Sequence, residues 1–253
     1  MHADAGAIDE LLARMRTVLA RLDEQQDQRR HFLATYLRTT AAVRDELCRG
    51  GFVDTAWVER WDVAFADLYL EALHERDRGV RPAEPWAVAF EAAEDERIPP
   101  LRHVLLGMNA HVNYDLPQSL LATIDDDEFE DPDVLSNRLR DHGHIDAILA
   151  SRVDAEDKEL QKVERPGDRT VLDKLLTPLN QAATRRFLAE ARRKVWYNAR
   201  LLSEARRQSP DALAARLAEL EELSRVRVAD LRAPGQVLVK LAVRGFGVEL
   251  LAA

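Results

Sequence analysis

Apolar residues near the start of the chain recur at steps of three and four: Ile8, Leu11, Leu12, Met15, Val18, Leu19 and Leu22. The stripe lapses through "DEQQDQRR" and resumes with Phe32, Leu33, Tyr36 and Leu37. That period belongs to one face of a helix and not to a strand, whose faces alternate every second residue. Residues 8 to 49 are therefore predicted to be helical, either as two helices joined at the polar interval or as one long helix. Gly50-Gly51 ends the element, because glycine adopts the left-handed stop without strain.

The pattern repeats along the chain. Asp54 or Thr55 is placed to cap a helix through "AWVERWDVAFADLYLEALHERDRG", with Trp57, Trp61, Phe65, Leu68 and Ala72 inward and Gly79 as its stop. "VRPAEP" reads as a linker, "WAVAFEAAEDER" as a short helix, and Pro99-Pro100 as the opening of the next one. "DDDEFEDPD" carries seven acids in nine positions (125–133) but lacks the mid-loop glycine and final glutamate of a calcium loop, so it is expected to be a solvated loop capping the following helix. Helix is expected again from about Val134 to Glu164 with a break near Gly143, from Thr170 to Gln208 with a kink or restart at Pro178, and from Ser209 to about Val226. Arg186, Arg193, Arg200 and Arg207 fall seven apart, which lines one helix face with arginine; a solvated face is the expectation. The tail "GQVLVKLAVRGFGVELLAA" fits a terminal helix or a short hairpin. With Ala, Leu, Arg and Glu abundant, the reading is all-α, a single multi-helix domain over 1–253 packed around a polar pocket.

A net charge of −9 argues against general nucleic-acid binding, which needs clustered positive charge. Cys48 is the only cysteine, so neither an internal disulfide nor a thiolate metal cluster forms. No run approaches the roughly 20 apolar residues of a membrane span, and the first residues do not resemble an export signal. A cytoplasmic protein with a small-molecule ligand, and neither nucleic acid nor membrane as partner, is the expectation.

"GMNAHVNYDLPQSLL", residues 107–121, concentrates the polar chemistry. On a helix opened by Pro100, His103, Gly107, His111 and Asp115 form a column at four-residue spacing, with Asn109 and Asn113 as a second pair. Buried amides and carboxylates must be hydrogen-bonded, metal-bound or open to a cavity. His111 and Asp115, one turn apart, could ligate a divalent metal such as zinc, iron or manganese. Because Pro117 cannot donate a backbone hydrogen bond, the helix is expected to end or kink near Asp115, and Asp115-Leu-Pro-Gln118 is also a capping-box pattern. Asp67, between Phe65 and Leu68, is read as partly buried and in need of a partner, either His111 or an arginine. Tyr36 and Thr40 share a face of the early helix system, while Arg38 must point elsewhere. Glu71 and His74, "DHGHID" (141–146, read as a loop) and Trp196 are expected to be surface or packing residues.

"TYLRTT", "WVERWDVAFADLYLEAL" and "PLRHVLLGMNAHVNYDLPQSL" together resemble a bacterial family of helical proteins known only as a domain of unknown function, most strongly over residues 32–121. A fainter likeness is to the helical zinc-dependent phospholipase C and nuclease class, which His111, Asp115 and Pro117 echo, with Asp67 as a further ligand. The chain lacks the N-terminal tryptophan ligand and the other histidines of that class.

The function expected from the sequence is an intracellular enzyme acting on a small molecule, a metal-dependent hydrolase or tailoring enzyme. His111, Asp67 and Asp115 are its candidate catalytic residues, and Asn109, Asn113, Tyr36 and Arg38 would bind substrate. The alternative is a non-catalytic helical protein that binds a ligand or partner, with the Asn/His/Asp cluster as a buried structural network.

Overall fold

The computed structural model describes the backbone of residues 6–163, 171–233, 241 and 244–251, and their side chains except at 153, 154 and 171–188. It is all-α: the described residues hold ten α-helices and one π-helical turn, and no strand. The polar interval after the first apolar stripe separates α1 (Gly6–Glu24) from α2 (Arg30–Arg49). Gly50 stops α2 at φ 71°. Asp54 caps α3 (Thr55–Asp77) by accepting the Trp57 N–H. Next come α4 (Glu84–Ala92) and α5 (Pro100–Ala110), each with proline in its first turn.

The chain does not end its helix at Asp115. It widens into a π turn, His111–Asp115, and passes directly into α6 (Leu116–Thr123). The Leu116 N–H bonds to the His111 carbonyl, five residues back, so the ladder continues with the wider spacing of a π turn while Pro117 falls in the first turn of α6, where it is tolerated. Asp115 has helical dihedrals and caps nothing, so the capping-box expectation fails and its carboxylate is left for other work.

The acidic run is a short helix, α7 (Asp126–Glu130), with Asp131 accepting the Asp133 and Val134 N–H groups at the start of α8 (Pro132–Val163). α8 runs without a break through Gly143, so "DHGHID" is helix and not loop. Close packing explains it: the Arg192 side chain covers Gly143, and His142 is buried, accepting the Trp196 indole N–H at 2.9 Å. α9 (Val171–Gln208) continues through Pro178, and Ser209 caps α10 (Pro210–Arg232). Arg193 and Arg200 are exposed and Arg207 pairs with Glu130 on the acidic run; the side chain of Arg186 and the "RPGD" segment lie outside the described residues.

α5 lies against α2, α4 and α10, while α6 bridges α3 and α9. Gly107 permits the α5–α2 approach, since a Cβ there would sit 2.8 Å from Phe32 Cδ2. Of the tail, residues 241 and 244 are helical and 245–251 run without helix or strand as a strap across the helices, while 235–240, 242, 243, 252 and 253 lie outside the described residues. No described helix is long and apolar enough to cross a membrane.

Candidate functional site

The π turn brings His111 and Asp115 into register. His111 Nδ1 lies 2.8 Å from Asp115 Oδ2, and the same oxygen accepts the indole N–H of Trp86 at 2.9 Å. Both residues are buried, 3% and 2% exposed. Burial pushes the Asp115 carboxyl well above the usual carboxylate range, opposed by the Trp86 hydrogen bond, and pushes the His111 imidazole well below its own. Both causes act against charge, so the pair is held towards its neutral form.

Aromatic rings enclose the imidazole. Phe65 stacks on it at 3.5 Å between centroids, Tyr36 meets it edge-on at 4.6 Å, and Phe32, Trp86 and Tyr69 stand about it at 5.9 to 6.0 Å. Around it several buried polar atoms find no hydrogen-bond partner of ordinary geometry among the described residues: His111 Nε2, Tyr36 Oη, Thr40 Oγ1 and Asp62 Oδ2. Burial pushes the Tyr36 phenol well above its ordinary range, the neighbouring Asp62 carboxyl adds to this, and Thr40, one turn along α2, opposes it through a contact short of ordinary hydrogen-bond geometry. Burial raises the Asp62 carboxyl to about 7. These groups converge where α2, α3 and the π turn meet.

The other expected site residues are placed differently. Asp67 is about half exposed and pairs with Arg14 at 2.7 Å, which makes an arginine, and not His111, its partner. It lines a shallow groove of about 750 Å³ between α1 and α3 with Glu71 and His74. Arg38 pairs with Glu156 on α8. Asn109 and Asn113 are buried but engaged with the tail, both donating to the Phe246 carbonyl at 3.1 Å. His103 is buried and stacks on His31.

His111 Nδ1 and Asp115 Oδ2 are hydrogen-bonded to each other, and no group of three His, Cys, Asp or Glu among the described residues is arranged to hold a metal. The donor set therefore does not fit the expected divalent cation.

Sequence reading missed Asp62, Trp86 and Asn198. For Asp62 the signal was present: it precedes Phe65, Ala66 and Tyr69 by three, four and seven residues, the spacing of one buried face, from which Asp67 falls away. Trp86 carried no local sign that its indole would cross to another helix.

The architecture defines an all-α protein with a buried His–Asp pair on a π turn. The chain belongs to the family of unknown function DUF5995, whose model matches residues 8–234. No curated protein and no solved structure matches it.

Proposed function

We propose that this protein is an enzyme acting on a small polar molecule by acid–base chemistry, with His111 transferring the proton, Asp115 coupled to it, and Tyr36 and Asp62 as neighbouring donors. The observation that carries this reading is the set of buried polar atoms without partners around the imidazole. An unsatisfied buried group costs roughly 1–3 kcal/mol, and Nε2 of His111 and Oδ2 of Asp62 are two that no side chain of the described residues meets. A network kept only to hold helices together would be satisfied internally; this one offers its free atoms to a bound polar molecule.

The chemistry follows from the neutral pair. With the Asp115 carboxyl protonated and donating to Nδ1, Nε2 carries the single N–H proton of the neutral ring. Nε2 can pass that proton to a ligand while Nδ1 takes the one from Asp115, so the ring stays neutral and the charge appears on the carboxylate, where the Trp86 N–H stabilises it. A carboxyl near 7, as at Asp62, is suited to give or take a proton at neutral pH.

Purified protein incubated with a cellular small-molecule extract and followed by mass spectrometry is expected to consume at least one compound that a folded His111→Gln variant leaves untouched. No change in any compound, with His111→Gln markedly less stable, would favour a second reading: a non-catalytic network, which the tight enclosure by Phe65 and Tyr36 supports.

A further inference from the structure

We propose that the groove formed by the π turn, α9 and α10 binds an extended polypeptide segment of a partner protein, and that residues 244–251 are its occupant in cis. This is independent of the chemistry at His111.

The contacts are those of peptide recognition. Asn113 grips the strap with both atoms of its amide, donating to the Phe246 carbonyl at 3.1 Å and accepting the Val248 N–H at 3.0 Å. Asn198 repeats the grip two residues on, donating to the Val248 carbonyl at 3.1 Å and accepting the Leu250 N–H at 2.9 Å. Two asparagines thus replace the neighbouring strand that an extended segment would otherwise need, with the two-residue step of a ladder. Glu190 accepts the Phe246 N–H, Lys194 donates to the Gly247 carbonyl, and Glu219 accepts the Leu251 N–H. These bonds go to the backbone and read no side chain.

Selection comes from shape. Phe246, Val248 and Leu250 are buried, whereas Glu249 and Leu251 are exposed. At Gly247 a Cβ would stand 2.8 Å from Lys194 Cδ and 3.4 Å from Ala191 Cα, so a larger residue there has to displace the Lys194 stem and the groove favours a glycine between its first two apolar residues. The fitting partner is an extended segment with apolar residues at alternate positions and that glycine.

Two observations favour a partner in trans over a fixed end of the fold. Asn109 Oδ1 is buried and has no partner among the described residues, although its amide faces the strap through Nδ2: the cis occupant leaves an acceptor unused. The side chains that grip the strap also lie within residues 8–234, which the family model matches, while the strap lies beyond them.

The test is hydrogen exchange on the full-length protein with and without an excess of the synthetic peptide RGFGVELL. The peptide is expected to speed exchange at the Phe246, Val248 and Leu250 amides at least 10-fold, with a scrambled peptide inert. Labelled peptide should bind Gly247→Val, whose own strap is crowded out, at least 10-fold more tightly than wild type, and the further change Asn198→Asp should abolish that binding. Strap amides that exchange only as slowly as those of α5, unaffected by peptide, would overturn the proposal whether or not Gly247→Val folds. A wild-type dimer that the peptide dissociates would make a second copy the occupant and overturn the choice of partner.

Discussion

Trp86 and His111 meet at a single oxygen: the indole Nε1 and the imidazole Nδ1 lie 2.9 and 2.8 Å from Oδ2 of Asp115. The indole therefore holds the carboxyl in place by a hydrogen bond, and on the proposed chemistry it is the donor that would stabilise the carboxylate. Trp86→Phe keeps most of the apolar contact and removes that donor. It is expected to lower stability by about 1–3 kcal/mol in urea unfolding and to slow the His111-dependent reaction, the loss falling on kcat more than on KM.

Asp62 gives a pH signature. Its carboxyl is at about 7 in the folded protein against an ordinary 3.8, because burial disfavours the charge. Between those values the folded chain keeps a proton that the unfolded chain has released, so its contribution to stability falls as pH rises from about 4 to about 7 and is level beyond. The difference in unfolding free energy between wild type and Asp62→Asn should follow that course, with an amplitude on the order of 4 kcal/mol. Taking the difference removes the opposing slope from His31 and His103, each lowered by burial to about 4.

Gly107 tests the packing that seats the π turn. Alanine is the better helix former by about 1 kcal/mol, yet its Cβ would press into the Phe32 ring, 2.8 Å from Cδ2. Overpacking of this kind costs about 1–3 kcal/mol, so Gly107→Ala should be destabilising, and Phe32→Leu combined with it should recover part of the loss in the same unfolding assay.

Much of the helical course was legible because the three-and-four periodicity, Asp54, Ser209 and the glycine stops act locally, within one turn of the residues that carry them. The π turn was not, since Pro117 predicts a break unless the wider turn intervenes, and that depends on what Asp115 bonds to. His111, Asp115 and Tyr36 could be nominated from the chain. Their relation to Trp86 and Asp62 could not, because no local spacing says which helices will face each other. Asn109 and Asn113, expected to bind substrate, are engaged instead with the strap more than 130 residues away, a pairing that no local spacing announces.

The central claim, that the polar atoms around His111 are kept for a ligand and not for the fold, is tested most directly by urea unfolding of Tyr36→Phe, Thr40→Val and the double variant. Each change removes a buried hydroxyl that has no hydrogen bond of ordinary geometry among the described residues while keeping the shape of the side chain. The expected result is an unfolding midpoint above wild type, by about 1 kcal/mol or more for each hydroxyl, accompanied by loss of the His111-dependent reaction. A lower midpoint for either single variant would mean that its hydroxyl is already satisfied within the fold, and would contradict the claim.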